Sequence, residues 1–184
     1  KGEKSSIDVL VAPGGAETIL KFIIPTLILK KSKNFVYLDG DQKILDEFYN
    51  PKELSPSDYD KLDEIIIKSV KCKPQLLLNG GNDKEGNKKT EVDMKLNYLE
   101  WIRMNLGYLP RLCPDAIVLH TIDKNANYSS SEQYKTALKN SYGDPEITSK
   151  EIVAISKHYL NKIDDNVDDL VIIASKIKEW IHRG

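Results

Sequence analysis

The stretch FVYLDGDQK, residues 35–43, decides the fold, because a run of apolar residues ends there in two aspartates that one glycine separates. An apolar run of this length is typical of a short buried strand. Asp39 and Asp41 are therefore predicted at the carboxyl end of that strand. Two carboxylates so close together repel each other, so the pair needs a compensating partner.

Two further strands are predicted on either side of this stretch. The sequence IDVLVAP, residues 7–13, is a continuous apolar run of the kind found in strands buried on both faces. The sequence PQLLLNGG, residues 74–81, indicates a third short strand. Residues 16–31 and 55–71 have helical spacing, and Pro25 is expected to kink or split the first helix. This alternation predicts a small parallel sheet with right-handed crossovers.

The remaining chain is predicted to be mostly helical. The expected elements are helices over residues 91–107, 114–122, 148–163 and 167–180, with a polar, loop-rich stretch over residues 124–146. Gly107 is expected to end the first of these helices. The predicted fold class is thus α/β, with a small parallel, Rossmann-like sheet flanked by helices in residues 5–122 and a helical C-terminal extension in residues 123–184.

Composition sets broad limits on function. The 184 residues fit one domain, or one domain with an appendage, and 27 basic against 28 acidic residues neither indicate nor exclude a nucleic-acid partner. The two cysteines form no metal-binding pair, and a reducing cytoplasm is expected. The apolar stretch 19–29 is too short to span a bilayer, so no membrane partner is expected. Because the first residue is lysine, the chain is expected to be part of a longer polypeptide.

Carboxylates after two predicted strands indicate a metal site. Active sites of open parallel sheets lie at the carboxyl ends of the strands. If the first two strands are neighbours, Glu17, Asp39 and Asp41 face one crevice. Hard oxygen ligands of this kind suit Mg²⁺ or Mn²⁺, which can activate a water molecule. The alternative is that Asp-Gly-Asp is only a turn, or that an aspartate caps the next helix.

The order of these elements resembles the Toprim domain. That domain has a strand, a glycine-containing acidic loop and a helix, then a second strand that ends in D-x-D. Toprim domains of the OLD-family nucleases (overcoming lysogenization defect) carry an E-G-x-x-E loop, and the sequence PGGAE at residues 13–17 is similar to it. Glu17 matches the second glutamate, whereas Pro13 replaces the first. The resemblance covers about residues 5–120.

The resemblance implies a Mg²⁺- or Mn²⁺-dependent nuclease acting on DNA or RNA. It also implies control by an ABC-type ATPase domain in the same polypeptide or complex, as in bacterial anti-phage and retron systems. It further offers Asp115 as a late acidic ligand and Lys150 as a lysine at the start of a C-terminal helix. The implied catalytic residues are Glu17, Asp39, Asp41 and Lys150, and the implied metal ligands are Glu17, Asp39, Asp41 and Asp115.

Several alternatives stay open at this stage. Asp115 is also a candidate helix cap, and Lys150 also fits a solvated surface lysine. The D-x-D motif is also found in glycosyltransferases, where it presents a metal ion to a sugar diphosphate. Because Pro13 replaces a ligand, a degenerate Toprim module that only binds a partner is a third possibility. The apolar final helix is a candidate contact with the rest of a longer protein or with a second copy.

Overall fold

The computed structural model describes residues 8–31, 33–76, 84–144, 146–160 and 168–183. Within these ranges the protein is mostly helical and contains one small parallel sheet of two strands, which is compatible with a general α/β fold. None of the helices in the described ranges is long and apolar enough to cross a bilayer.

The strand predicted at residues 35–38 is confirmed as β1 (Val36–Leu38). It pairs in parallel with β2 (Leu106–Tyr108), with Leu38 opposite Tyr108. The prediction that Gly107 ends a helix is wrong, because this glycine lies in the middle of β2. A Cβ atom at Gly107 would lie 2.9 Å from the ring of Phe35, so the missing side chain permits close packing beside the sheet.

The strand predicted at residues 7–13 is wrong for the part that is described, since residues 8–12 belong to no strand. Val9, Leu10 and Val11 are 87%, 86% and 95% exposed. Their β-branched and apolar side chains favour a strand locally, but a buried strand also needs neighbours on both sides. Of the third predicted strand, residues 74–76 are not in a strand and residues 77–81 lie outside the described residues.

The predicted interruption at Pro25 is confirmed. The chain forms α1 (Ala16–Thr18), a π-helical turn (Ile19–Ile23) and α2 (Ile24–Leu29), and Pro25 stands at the start of α2. Proline has no N–H to donate to the preceding turn, and the wider π turn removes the need for that donor. Leu20, Ile24 and Pro25 are buried, so this segment packs into the core despite the break.

The first core lies between the sheet and helices α2, α3 (Leu62–Val70) and α4 (Lys84–Asn105). Its buried side chains are Leu20, Ile24, Leu38, Leu62, Ile66, Val70, Tyr98, Leu99, Ile102 and Leu106. The Tyr98 hydroxyl donates to the carbonyl oxygen of Leu20 at 2.9 Å, which satisfies the one polar atom of this fully buried ring. The helix predicted to start near Ser55 is confirmed, with a 3₁₀ turn (Pro56–Lys61) ahead of α3.

A second core is formed by α5 (Pro114–Ile122), α6 (Ser131–Ser141) and α7 (Ser149–Leu160). Its buried side chains are Cys113, Ala116, Val118, Leu119, Ala126, Tyr134, Leu138, Ile147 and Ile152. The prediction of a loop-rich stretch over residues 124–146 misses α6, which occupies the middle of that range. The second core contains side chains from before residue 122 and from after residue 123. The predicted boundary between a catalytic domain (residues 5–122) and a C-terminal extension (residues 123–184) stays a prediction.

The final helix, α8 (Asp168–His182), lies beside the face of β1 that is opposite the first core. The Tyr37 hydroxyl donates to the carbonyl oxygen of Ile173 at 3.4 Å, and the rings of Phe35 and Trp180 are 5.7 Å apart. Trp180 Nε1 also donates to Asn105 Oδ1 at 2.9 Å. These contacts connect α8 to the sheet and to the end of α4.

Candidate active site at the ends of the two strands

The two aspartates follow β1 directly, and the glycine between them packs against the loop that follows β2. Gly40 begins a 3₁₀ turn (Gly40–Gln42), and a Cβ atom at this position would lie 2.1 Å from the backbone oxygen of Arg111. The Asp41 backbone N–H donates to the carbonyl oxygen of Leu112 at 3.1 Å. The carboxyl ends of both parallel strands thus meet at one edge, where active sites of such sheets lie.

Three of the predicted site residues come together at this edge. The pKa of Asp39 is raised above its ordinary value, first by burial and then by the negative charges of Asp41 and Asp115. Asp115 comes from the first turn of α5, which begins shortly after the β2 loop. A partly buried carboxylate beside other negative charges is held in an arrangement that bulk solvent does not favour.

Asp115 is a partly buried member of this cluster. Burial raises its pKa, while the charge of Lys135 and its own backbone N–H act in the opposite direction. The alternative prediction that Asp115 caps a helix is wrong, because Cys113 is the N-cap residue of α5. A carboxylate in a first helical turn is normally stabilised by the helix dipole, and here burial outweighs that stabilisation.

Asp41 is oriented by two neighbouring side chains. Its Oδ2 accepts a hydrogen bond from the Ser131 hydroxyl at 2.7 Å, and its Oδ1 accepts one from Gln42 Nε2 at 2.8 Å. Ser131 is the first residue of α6, so the second core holds one side of the turn in place. Each carboxylate oxygen keeps lone pairs for a further partner, since a carboxylate has about four acceptor positions.

Ser131 and Lys135 are functional candidates that the sequence interpretation missed. They lie four residues apart on α6, and this spacing places both on one face of the helix. The signal was present in the sequence SSSEQ, residues 129–133, where serines precede a glutamate and a glutamine. The Ser130 hydroxyl accepts from the Gln133 backbone N–H at 3.3 Å and starts the helix.

Glu17 and Lys150 lie in other surroundings. The Glu17 carboxylate is 3.8 Å from the Lys21 ammonium group, and its charge adds to burial in raising the pKa of Cys72. Lys150 is exposed in the first turn of α7, where Thr148 and Glu151 form the helix cap. The contacts described for these two residues do not involve the three aspartates, and their predicted roles stay predictions.

The cluster has the donor chemistry of a magnesium site without a complete ligand shell. Aspartate oxygens are the ligands that Mg²⁺ and Mn²⁺ prefer. In the part of the chain that the structure describes, no three histidine, cysteine, aspartate or glutamate side chains are grouped closely enough to hold an ion together. Mg²⁺ is commonly held by one or two carboxylates with waters and substrate phosphates. One or two of Asp39, Asp41 and Asp115 therefore fit such a site, with a phosphate and waters as the other ligands.

A cleft of ≈1260 Å³ opens beside the turn, and Gly40 forms part of its wall. Residues from the β2 loop and one face of α8 form other parts of the wall. The glycine of the D-G-D turn therefore borders a space large enough for an extended ligand, and the three aspartates are not part of its wall.

Comparisons of this chain with protein-family models, with curated proteins and with solved structures find no match. The Toprim resemblance therefore stays a prediction.

Proposed function

We propose that this chain is a divalent-metal-dependent nuclease domain of the Toprim type, which hydrolyses phosphodiester bonds at the cluster of Asp39, Asp41 and Asp115. The observation that carries the proposal is that Asp39 and Asp41 directly follow β1 at the carboxyl edge of the parallel sheet. The pKa of Asp39 is raised there, first by burial and then by the charges of Asp41 and Asp115. Three carboxylates so placed favour a cation as their compensating partner. A bound Mg²⁺ would neutralise phosphate charge and activate a water molecule.

The surrounding residues have separate tasks in this proposal. Asp39, Asp41 and Asp115 are the candidate metal ligands. Ser131 and Gln42 fix the carboxylate of Asp41, because both of its oxygens accept a hydrogen bond. Asp39 and Asp115 both have a raised pKa, which suits either of them to accept a proton when it is not bound to metal.

Lys135 is a candidate cation for assistance at the phosphate. Its charge acts on Asp115, whereas Lys150, which the resemblance offers, is exposed on α7. An ammonium group beside the reacting phosphate would stabilise the negative charge that grows in the transition state. We expect Lys135→Ala to reduce cleavage by about 10²- to 10³-fold, and Lys150→Ala to have a much smaller effect. Initial cleavage rates of the two variants at saturating Mn²⁺ test this expectation.

The wider biological setting is also part of the proposal. An ABC-type ATPase domain in the same polypeptide or complex would control cleavage, in an anti-phage role in the cytoplasm. The nucleic acid is DNA or RNA, and a homo-oligomer is compatible with the exposed apolar residues of α8, such as Val171 and Ile172. Glu17 remains the candidate fourth ligand or general base, as the resemblance implies.

The first experiment is calorimetry of Mg²⁺ and Mn²⁺ binding, followed by cleavage assays on single- and double-stranded DNA and RNA. We expect the wild type to bind and cleave, and Asp39→Asn with Asp41→Asn to lose both properties. The matched control is Asp60→Asn, because the Asp60 side chain is 87% exposed and pairs only loosely with Lys88 at 3.8 Å. Circular dichroism establishes that the variants are folded.

Retained cleavage in the double variant would contradict the proposal. If the wild type bound the ion neither alone nor with an oligonucleotide, the chain would be better described as a Toprim-like binding module. Two observations favour that second candidate: Pro13 replaces a motif glutamate, and the described residues contain no complete group of three ligands.

A further inference from the structure

We infer that the cleft beside Gly40 is a binding site for a single-stranded segment of nucleic acid, which it leads to the aspartate cluster. This inference rests on the proposed nuclease function and adds the class of substrate. Three observations carry it: the position of the cleft, the exposed aromatic rings in its wall and the near balance of its charges.

The position is given by Gly40, which belongs to the cleft wall and separates Asp39 from Asp41 in the sequence. From this turn the cleft extends along the loop after β2 to the C-terminal end of α8, where Trp180 and Arg183 form part of the wall. At ≈1260 Å³ the cleft is larger than a typical small-molecule pocket, and its size suits a chain of several nucleotides.

Exposed aromatic rings are the second observation. Tyr49 and Tyr128 line the cleft, and each is 39% exposed, so part of each residue is open to a ligand. Tyr128 is held by an edge-on contact with Tyr134 at 5.2 Å, which fixes its ring in the wall. Unpaired bases stack on such rings, whereas the bases of a duplex already stack on one another and are not available.

The charge of the cleft wall is the third observation, and it favours binding of a single strand over binding of a duplex. Five basic and four acidic side chains line the cleft, so its walls are close to neutral. Non-specific duplex binding depends on the release of counterions by many lysines and arginines, which this cleft does not supply. Single-strand binders usually combine a positively charged groove with stacking rings, and in this near-neutral cleft the rings would have to supply most of the binding.

The basic side chains of the cleft are available to contact the phosphates of a nucleic-acid strand. Lys176 on α8 and Arg183 just after its end both pair with Glu179, so two cations share one carboxylate. Lys43 pairs with Asp46 at 2.8 Å, but the Asp46 side chain is 98% exposed. Exposed ion pairs contribute little to stability, so a phosphate can replace these carboxylates at small cost.

The test is fluorescence anisotropy in EDTA, where metal-dependent cleavage does not occur, with labelled 12-nucleotide oligo(dT) and oligo(U) and a duplex of equal length. We expect both single strands to bind at least tenfold more tightly than the duplex. The slope of log Kd against log salt should be no steeper than about two, since roughly three cations reach the backbone.

The decisive variants are Tyr49→Ala and Tyr128→Ala, tested singly and together. Each is expected to weaken single-strand binding roughly five- to a hundredfold, because a stacking ring is lost. Tyr49→Phe and Tyr128→Phe keep the rings and should bind as the wild type does. Phe22→Ala is the matched control, since that ring is 47% exposed and is not part of the cleft wall. If Tyr128→Ala does not fold, Lys176→Glu on exposed α8 should weaken binding instead.

The outcomes separate this inference from the proposed function. Tighter binding of the duplex, or unchanged binding in the folded tyrosine variants, would overturn the cleft assignment even if the chain cleaves nucleic acid. Ring-dependent binding by a chain that cleaves nothing would support the cleft and contradict the nuclease. Asp39→Asn with Asp41→Asn should leave single-strand binding in EDTA within about threefold of the wild type, since stacking supplies most of it.

Discussion

At the scale of single residues, the D-G-D turn depends on its glycine as much as on its aspartates. Gly40 lets the β1 turn approach the backbone of the β2 loop, and this approach brings Asp39 and Asp41 near Asp115. The D-G-D sequence is common in ordinary turns, and here it also brings the turn after β1 into contact with the loop after β2.

We expect Gly40→Ala to destabilise the protein by about 2 kcal/mol or more, because the added Cβ would lie 2.1 Å from the Arg111 carbonyl oxygen and the backbone must move. Gly15→Ala is the matched control, since a Cβ there meets nothing within 4 Å. Urea denaturation measures both free energies of unfolding. Equal values for the two variants would show that the two loops do not pack as described.

The aspartates themselves predict an unusual pH dependence. Because the pKa values of Asp39 and Asp115 are raised in the folded protein, their charged forms oppose folding, and this cost disappears as the pH falls through those values. We therefore expect Asp39→Asn to stabilise the protein at pH 7 without divalent ions. This gain in the free energy of unfolding should vanish below the ordinary aspartate pKa of 3.8, where the wild-type carboxyl is protonated. Added Mg²⁺ should also remove it, because the ion stabilises the wild type. Destabilisation by Asp39→Asn at pH 7 would contradict the described cluster.

At the scale of elements, residues 8–12 show that local preference does not create a strand. The run has the composition of a buried strand, yet Val11 is 95% exposed. We expect Val11→Ser to change the free energy of unfolding by less than about 0.5 kcal/mol. Leu38→Ala in β1 should cost about 2–5 kcal/mol, because Leu38 is buried in the first core. A cost above about 1.5 kcal/mol for Val11→Ser would instead favour the buried strand that the sequence predicts.

At the scale of the whole molecule, α8 is connected to the rest of the protein by a few long-range contacts. The best buried of these is the ion pair in which Arg111 Nε donates to Asp169 Oδ2, since the Asp169 side chain is only 8% exposed. This pair joins the β2 loop, and with it the turn at Gly40, to the first turn of the final helix.

We expect Arg111→Ala to destabilise the protein by about 3 kcal/mol, because it leaves a buried carboxylate without its partner. The cleft should change as well, since Arg111 and α8 both form its wall. Lys176→Ala is the control, because Lys176 is exposed and its pair with Glu179 contributes less than about 1 kcal/mol. Thermal and urea denaturation compare the two variants, and similar costs would mean that α8 does not depend on this pair.

The sequence by itself determined the elements whose signals are local. These are β1, the break at Pro25, the start of α3 and the existence of α5, α7 and α8, because apolar periodicity and helix starts depend on neighbouring residues. It also indicated Asp39, Asp41 and Asp115, which the structure brings together. Their role as ligands stays a prediction.

Only the tertiary structure decided which segments pair and which side chains meet. β2 is three residues long and contains Gly107, so it has almost no local signal, and it is a strand because Leu106 and Tyr108 lie beside β1. Ser131 and Lys135 lie about ninety residues after the D-G-D turn, and packing of α6 on α5 places them near the aspartates. Such contacts depend on distant parts of the chain, and no local pattern in one sequence records them.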